Sequence, residues 1–388
     1  MLDGIEIFSG AGGLAKGLES SGIRHRAFVE WNKDACKTLR SNFDEASVYE
    51  GDVRNFDFLK YSGVDVIAGG PPCQPFSLGG KALGFDDKRD MFPYAVDAIR
   101  QLKPKAFIFE NVKGLLRDSF KEYYEYILLQ LQYPDIPLNG STWKDNYDYL
   151  RCVAKKDYKG LRYKVSYQLV NAADYGVPQK RERVIIVGFR SDIKVKWTFP
   201  APTHSEDALL WSQFVTGDYW ERHNIKCTYP ESIVSEQKTS LSEKYGFWQP
   251  ELLPWLTIRD VTTDLECSES KCSREYPGHT GSFIDRPSKT IKAGAHGVPG
   301  GENMVKLDDG STRYLTLQEA KRIQTFPDEY IITGSWTEGM RQLGNAVPVR
   351  LAYVIGKSVV DALETSCIQM GGIPAPHPHE SRIHSSEK

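Results

Sequence analysis

Among the seven cysteines of the sequence, Cys73 lies where a nucleophile would be expected. It follows the apolar run Val64–Ala68, within the stretch GGPPCQPFS at 69–77, which places it on a loop after a predicted strand. Prolines on both sides restrict the backbone, and a thiol on such a loop can act as a thiolate nucleophile. The other cysteines form no CxxC pair, so we expect reduced, buried thiols and neither a disulfide framework nor a structural zinc site.

A carboxylate is predicted to face the same cleft. Glu110 ends the apolar run Ala106–Glu110, the next strand expected after the one that precedes Cys73. In a parallel sheet the carboxyl ends of the strands lie at one edge, where ligands bind. A thiol and a carboxyl group at that edge indicate attack on an electrophile that the carboxyl group protonates.

A glycine-rich turn and two acidic strand ends predict a nucleotide-like ligand nearby. About 20 residues after the turn, Glu30 is placed to accept the hydroxyl groups of a ribose, and Trp31 to stack on a purine. Asp52, followed by Val53, is placed to accept the amine of an adenine. No Lys-Ser or Lys-Thr pair follows the glycines, which favours an adenosine ligand without a polyphosphate. The turn itself comprises Phe8, Gly10, Ala11, Gly12 and Gly13.

Strands and helices alternate in the first half of the chain, which predicts an α/β fold with a doubly wound, mainly parallel sheet. The alternation fails after about residue 190. The predicted strands are Gly4–Phe8, Arg26–Val29, Val64–Ala68, Ala106–Glu110 and Val184–Gly188. The predicted helices are Leu14–Ser20, Lys33–Asn42, Tyr94–Gln101, Phe120–Leu131, Thr316–Thr325 and Val349–Thr365.

These patterns divide the chain into four regions. Residues 1–190, completed by 340–368, form the predicted catalytic and cofactor-binding domain. Residues 191–309 mix Trp, Tyr, Pro, Ser and Thr and are expected to form a smaller, irregular, β-rich domain. We interpret 310–339 as a hinge with a helical return, and 369–388, which is rich in Gly, Pro, Ser and charge, as a disordered tail.

The charge of the chain is balanced overall and uneven locally. Its 49 Lys and Arg against 51 Asp and Glu give a net charge of −2, which excludes a general basic coat. Arg151–Pro200 has twelve Lys and Arg against four Asp and Glu, which predicts a stripe that contacts phosphates. The sequence has neither a basic signal-peptide region at its start nor a long uncharged apolar run, so we expect a cytoplasmic protein without a membrane span.

The order and spacing of several motifs resemble those of the C5-cytosine-specific DNA methyltransferase family. The motifs are IFSGAGGL, EW, GDV, GGPPCQPFS, FENV, QKRERVIIVG and QLGNAVPV, and they span residues 4 to about 365 apart from a variable middle. The resemblance implies a Rossmann-like fold that binds S-adenosyl-L-methionine and releases S-adenosyl-L-homocysteine. It implies that Cys73 adds to C6 of cytosine and that Glu110 hydrogen-bonds N3 and N4 and supplies a proton. Arg181 and Arg183 would contact the base O2 and a neighbouring phosphate.

The same resemblance assigns further positions. Pro72 and Asn345 would complete the cofactor site, with Gly344 allowing close backbone approach and Asn345 also capping a helix N-terminus. Because a duplex hides C5 and C6, the target base must be flipped out. The loop 78–89 is then expected to close over the DNA, with contacts from Leu78, Gly79 and Arg89. Gln179 and the element RPSKTIKAGAHGVPGG, inside a target-recognition domain at 191–309, would also contact DNA; the residues of that element are Lys289, Thr290, Lys292 and His296.

Three functions are compared. The favoured one is a DNA (cytosine-5)-methyltransferase acting as a monomer on double-stranded DNA in a bacterial restriction-modification system, with any partner endonuclease not needed for activity. The first alternative is the tRNA-methylating branch of the family. That branch has a Cys-Phe-Thr motif, where this chain has Cys227-Thr228 without the Phe, and it has Thr after Pro-Cys-Gln-Pro-Phe, where this chain has Ser77. The second is an inactive DNA-binding regulator, which the full set of motif residues disfavours. The base that removes the C5 proton is not identified, and water is one candidate.

Overall fold

One large sheet dominates the computed structural model, which describes residues 1–72, 90–140, 142–156, 158–262, 280–293 and 301–370. Its strands are β1 (Leu2–Ile7), β2 (Ile23–Glu30), β3 (Ser47–Glu50), β4 (Val66–Gly69), β5 (Ala106–Val112), β6 (Tyr163–Asn171) and β7 (Glu182–Arg190). In the described residues their order is β3-β2-β1-β4-β5-β7-β6. Neighbours from β3 to β5 are parallel, whereas β7 is antiparallel to both β5 and β6.

Shorter strands and a set of α-helices complete the described fold. The short strands are β8 (His204–Ser205), β9 (Leu253–Pro254), β10 (Ser282–Phe283), β11 (Met304–Lys306) and β12 (Thr312–Tyr314). The helices of the first part are α1 (Gly13–Ser20), α2 (Lys33–Asn42), α3 (Phe92–Leu102), α4 (Lys121–Gln132) and α5 (Trp143–Ala154). Those that follow are α6 (Glu206–Phe214), α7 (Asp218–Arg222), α8 (Glu231–Tyr245), α9 (Ile258–Thr262), α10 (Leu317–Ile323), α11 (Trp336–Asn345) and α12 (Val349–Met370).

The large sheet is covered on both faces, as its alternating side chains require. On β5, Phe107 and Phe109 pack into a core shared with α3, α4 and α5. Ile108, between them, packs into a second core shared with α1 and α12. Both faces of the strands are therefore apolar, and polar side chains collect at the strand ends.

The predicted doubly wound, mainly parallel sheet is confirmed, and each predicted strand and helix overlaps an observed one. Several elements were not predicted, among them β6, α5, α6, α8 and α11. Helix α8 was not predicted because Leu241 is its only buried residue, so its sequence carries no apolar stripe. Edge strand β6 likewise buries only two of its nine residues.

The region from 191 to 309 has two parts in the described residues. Helices α6, α7, α8 and α9 occupy most of 206–262, where we expected irregular, β-rich structure. The smaller mixed sheet lies further on, where β10 is parallel to β11 and β11 is antiparallel to β12. Because β12 begins at Thr312, this sheet crosses the boundary drawn at 309.

The stretch that carries the small sheet shares a core with the cofactor side of the large one. Ile291, Val305 and Leu315 pack in one cluster with Phe28 of β2 and Leu39 of α2. This stretch is thus fixed to the large sheet by apolar packing. In the described part of the chain, no helix has the length and apolar character needed to cross a membrane.

Candidate active site

The first strand ends in the predicted glycine turn. Its backbone is left-handed at Phe8, Gly10 and Gly12, with φ of 56°, 53° and 78°, a conformation that is uncommon for a residue with a side chain such as Phe8. Among the described residues, no atom lies within 4 Å of the position that a Cβ on Gly10 would take. Helix α1 begins directly afterwards at Gly13, and the carbonyl of buried Ala11 accepts a 2.6 Å hydrogen bond from Tyr330.

Glu30, the last residue of β2, directs its carboxylate into this turn. Oε2 accepts a hydrogen bond from the backbone N–H of Gly10 at 2.8 Å. Oε1 accepts from the N–H groups of Trp31 and Asn32 at 2.9 and 2.8 Å. A carboxylate has about four acceptor positions, so Oε2 can still accept a further donor. The acid is held in one orientation before any ligand arrives.

The other predicted cofactor residues lie along the same sheet edge. The Trp31 side chain is 78% exposed beside Glu30, which leaves its ring face free for stacking. Asp52 follows the end of β3, where it caps a short turn that begins at buried Val53. Its carboxylate is already paired with Arg54, and this hydrogen bond lowers the pKa of Asp52. A ligand amine would have to share that carboxylate with Arg54.

The loop that leads to Cys73 is anchored beside Glu110. A Cβ on Gly70 would lie 3.4 Å from Glu110 Oε2. The Asn111 side-chain amide donates to the carbonyl of Pro71 at 2.9 Å, and the N–H of Met91 donates to the carbonyl of Pro72 at 3.2 Å. Cys73 itself lies outside the described residues, as do Leu78, Gly79, Arg89 and His296.

Glu110 and Arg183 meet at this edge. Glu110 is opposite Ile185 and Arg183 is opposite Val112 in the β5–β7 ladder, so the two side chains are diagonal neighbours on one face. Arg183 Nε lies 2.6 Å from Glu110 Oε1, and the side chains are only 13% and 11% exposed. The contact is an ion pair without hydrogen-bond alignment at Nε. A carboxylate and a guanidinium side by side can bind a donor and an acceptor on one planar ligand.

Two residues expected to contact DNA take other positions. The family resemblance predicts that Arg181 contacts the base or a phosphate, but its side chain is fully buried and donates to the carbonyl oxygens of Ile291, Gly344 and Ala346. Gln179 is also fully buried, and its Oε1 accepts from the N–H of Ile291 at 3.0 Å. Neither side chain reaches the surface in this conformation, because each satisfies backbone groups at the junction between β7 and the recognition segment.

The predicted recognition residues lie close to that junction. Thr290 Oγ1 donates to the carbonyl of Lys180 at 2.7 Å. Lys289 and Lys292 are exposed, and Lys292 is ion-paired with Glu302. In the β6–β7 ladder, Tyr163 is opposite Arg190 at the far end from Arg183. Arg183 and Arg190 therefore lie at opposite ends of β7, and the stripe of cations over Arg151–Pro200 stays a prediction.

Asn345 and the remaining cysteines also differ from expectation. Asn345 is the exposed last residue of α11, so its interpretation as a helix N-cap is wrong. The close approach expected at Gly344 is confirmed, because a Cβ there would lie 2.4 Å from the backbone nitrogen of Ala293. Cys36 is buried as expected, whereas Cys152 and Cys227 are exposed.

Sequence reasoning missed two buried amides that organise the site. Asn111 holds the carbonyl of Pro71, and its position directly after Glu110 is a signal that could have revealed it. Gln324 is fully buried and accepts from Gln179 Nε2 at 3.2 Å. Its sequence neighbours give no sign of this contact, which joins residues 145 positions apart.

Comparison with known proteins identifies the family of the chain. The family model described as C-5 cytosine-specific DNA methylase matches residues 2–134 and 144–361. The Type II methyltransferase M.Eco47II of Escherichia coli is 34% identical over 93% of this chain and 79% of its own length. The Type II methyltransferase M.NgoMIV of Neisseria gonorrhoeae is 32% identical over 93% of this chain and 97% of its own.

Solved structures show the same fold at low identity. A putative DNA modification methyltransferase encoded within a prophage of E. coli superposes with a TM-score of 0.54 at 21% identity, covering 94% of this chain and 100% of that one. The Dnmt2 methyltransferase of S. pombe gives a TM-score of 0.57 at 15% identity, covering 94% and 99%. The chain belongs to the C-5 cytosine-specific DNA methylase family and is a DNA (cytosine-5)-methyltransferase.

Proposed function

We propose that Cys73, Glu110 and Arg183 act together on one flipped-out cytosine of duplex DNA, whose C5 receives a methyl group. The observation that carries this assignment is the Glu110–Arg183 ion pair beside the loop Gly70–Pro72 that leads to Cys73. The exocyclic amine of cytosine is a donor and its O2 is an acceptor. A carboxyl group that accepts from the amine and, when protonated, donates to N3, together with a guanidinium for O2, matches this edge of the base.

The chain's own groups account for the activation of a poor nucleophile. The Cys73 thiolate would form a bond to C6 while Glu110 delivers a proton to N3, which turns the ring into an enamine with a nucleophilic C5. Arg183 would hold O2 and keep the ring in place for this transfer. After methylation, loss of the C5 proton to water or another base would return electrons to the ring and expel the Cys73 thiolate, and N3 would return its proton to Glu110.

The cofactor edge fits S-adenosyl-L-methionine, which supplies an electrophilic methyl group when bound. Oε2 of Glu30 has acceptor capacity for a ribose hydroxyl, and exposed Trp31 offers a ring face to adenine. Asp52 supplies a further acceptor near Val53. The turn from Phe8 to Gly13 and the loop ending at Pro72 would border the ligand, with Asn345 at the end of α11. Acceptors outnumber cations at this edge, which suits an adenosine ligand with no phosphate.

Recognition of the DNA sequence is assigned to 191–309 and the chemistry to residues outside it. Lys289, Thr290, Lys292 and His296 would contact the duplex, and Leu78, Gly79 and Arg89 would approach it from the loop after Cys73. The names of the Type II relatives support a restriction-modification setting. We expect a monomer in the bacterial cytoplasm that works without its partner endonuclease.

Bisulfite sequencing tests the proposed function directly. Plasmid DNA and tRNA would be recovered from a host that lacks its own cytosine-C5 methylation and expresses this protein. We expect one recurring sequence in the plasmid to carry a cytosine that resists conversion, and no such cytosine with a Cys73→Ser variant. Protection confined to tRNA, or plasmid protection that survives Cys73→Ser, would contradict the proposal.

A further inference from the structure

The segment Ser288–Ile291 lies alongside the residues that lead into β7. Ser288 N–H donates to the carbonyl of Pro178 at 2.9 Å, and Lys180 N–H donates to the carbonyl of Ser288 at 2.8 Å. Side chains extend the contact, because Thr290 Oγ1 donates to the carbonyl of Lys180 and Gln179 Oε1 accepts from Ile291 N–H. The segment Ser288–Ala293, which we call the recognition segment, is therefore hydrogen-bonded to the chain just before Arg183.

Arg181 joins this pair of segments to a third one. Its Nη1 donates to the carbonyl of Ile291 at 3.2 Å, and its Nη2 donates to the carbonyls of Gly344 and Ala346 at 2.8 and 2.9 Å. The end of α11 is pressed against the recognition segment at Gly344, where a Cβ would lie 2.5 Å from the carbonyl carbon of Lys292. One guanidinium therefore fixes the separation of two backbone segments at their point of closest approach.

A second buried side chain makes a parallel link. Gln179 Nε2 donates to Gln324 Oε1, and Gln324 Nε2 donates to the carbonyl of Leu343. All three of Gln179, Arg181 and Gln324 are 0% exposed. We call these three residues the junction network.

The charge of the junction network is unusual for a purely structural contact. Arg181 is fully buried, and its described partners are backbone carbonyls rather than carboxylates. Burying a guanidinium without a carboxylate is costly, and burial, followed by the nearby charge of Arg183, lowers the pKa of Arg181 well below its ordinary value. What the guanidinium adds is a planar fork with fixed directions towards several acceptors.

We propose that Arg181 and Gln179 are positioning residues that orient the recognition segment Ser288–Ala293 relative to the Glu110–Arg183 pair. Arg181 lies directly before β7 and two residues before Arg183, so movement of the recognition segment is transmitted to the arginine that contacts the base. Site recognition and base activation are thereby coupled. This inference rests on the proposed function, because it requires Glu110 and Arg183 to act on the flipped cytosine.

Arg181→Lys and Arg181→Met test the coupling, with Lys164→Met as the matched control. Lys164 is an exposed cation on β6, at the other side of β7, with no contact to the junction network. Methylation would be measured per folded molecule on a short duplex with the cognate sequence and on duplexes with single-base changes in it. Binding of S-adenosyl-L-methionine would be measured by calorimetry, and unfolding by a thermal melt.

We expect Arg181→Met to lower kcat/KM on the cognate duplex by about 10²-fold, the size of effect that a small misplacement of reacting groups produces. Arg181→Lys should recover part of this loss, because its ammonium keeps the charge and reaches some of the carbonyls. In both variants the ratio of cognate to altered-site rates should fall, while cofactor binding should change by less than about twofold. Lys164→Met should match the wild type in every measurement.

The outcomes separate the possible failures. If the wild-type protein methylates no DNA, the proposed function is wrong, and the coupling of site recognition to base activation is rejected with it. If the wild type is active and Arg181→Lys melts at a lower temperature with unchanged kcat, KM and site discrimination, Arg181 is only a stabilising contact. Should Arg181→Met fail to fold, the same measurements on Arg181→Lys and on Gln179→Met decide the matter.

Discussion

Two groups of residues at one edge of the large sheet are held in place by different kinds of contact. We call Glu30 and the glycine turn the cofactor side, and Arg181 with the Glu110–Arg183 pair the base side. On the cofactor side, Glu30 is fixed by the backbone of its own turn and of Gly10, 20 residues away. On the base side, Arg181 is held by carbonyls that lie 110 to 165 residues further along the chain. The cofactor side is a local structure formed by consecutive βα units. The base side exists only when the distant segments have assembled.

This difference predicts which functions can be separated by substitution. Changes on the cofactor side should affect cofactor binding and leave DNA recognition in place. Changes on the base side should affect cofactor binding much less, since Arg181 is bonded to the carbonyls on either side of Asn345 and not to Glu30. The predictions below challenge this division, beginning with the largest effect.

Cys73→Ser should abolish methyl transfer, because a hydroxyl group is far less ionised than a thiol at neutral pH and adds poorly to C6. The wild type should form a denaturation-resistant adduct with duplex DNA that contains 5-fluorocytosine, since fluorine at C5 blocks release of the thiolate. Gel electrophoresis under denaturing conditions measures both. Cys36→Ser is the control, because Cys36 is buried under β2 and donates to the carbonyl of Glu30. An adduct that forms equally well with Cys73→Ser would reject Cys73 as the nucleophile.

Glu110→Gln should lower the methylation rate by about 10²- to 10⁴-fold, the usual contribution of a general acid. The amide can still contact the base and Arg183, but it cannot deliver a proton. Single-turnover kinetics on the cognate duplex measures the rate, and calorimetry measures cofactor affinity, which should stay close to wild type. Glu122→Gln on the exposed side of α4 is the control. A parallel loss of cofactor binding would break the division between the two sides.

Glu30→Ala tests the division from the opposite direction. Loss of a charged acceptor should weaken S-adenosyl-L-methionine binding by about 10- to 100-fold, which corresponds to roughly 1.5–3 kcal/mol for a hydrogen bond to a charged group. Duplex binding, measured by fluorescence anisotropy, should be unchanged. Glu50→Ala is the matched control. Glu50 is opposite Glu30 in the β2–β3 register, but its carboxylate forms an ion pair with Arg40. Equal losses of S-adenosyl-L-methionine affinity in both variants would show that the Glu30 carboxylate only stabilises the glycine turn and does not itself bind the cofactor.

The same division explains what the sequence could predict. The glycine turn, Glu30 and Glu110 lie at strand ends, and the βα pattern alone places such residues at one edge of the sheet. The Glu110–Arg183 contact requires knowing that β7 is antiparallel and in which register it pairs with β5. No periodicity fixes that register, because both strands are buried on both faces and lack the polar alternation that would define it.

Arg181 and Gln179 show the limit of motif reasoning most clearly. The family resemblance predicts that both side chains contact DNA. Arg181 lies just before β7 begins at Glu182, and the chain there is paired with Ser288. A polar residue in a motif can therefore bind either a ligand or the backbone of a distant segment. Which of the two it binds depends on contacts between segments that are far apart in the sequence.

The smallest expected effect concerns stability on the cofactor side alone. Glu6 of β1 is buried beneath the glycine turn, with Oε2 3.4 Å from His25 Nε2 of β2. Neither Glu6 Oε2 nor His25 Nδ1 has a hydrogen-bond partner of good geometry in the described structure. Burial raises the pKa of Glu6, an effect that the contact with His25 opposes and the charge of Glu30 strengthens.

The direction of the pH effect follows from this raised pKa. The folded protein binds the Glu6 proton more tightly than the unfolded chain, so its stabilising contribution is complete below the ordinary glutamate value of 4.5 and is lost as pH rises towards the folded-state pKa. Glu6→Gln keeps the size and an acceptor but cannot ionise. The free energy of unfolding in urea should therefore shift in favour of the variant between pH 5 and pH 8, while methylation by the folded protein stays near wild type. Exposed Glu19→Gln should show no such shift. A variant that instead lost stability relative to wild type as pH rose would mean that Glu6 is charged and held by His25, and the cofactor side would then depend on a buried ion pair rather than on its backbone turns.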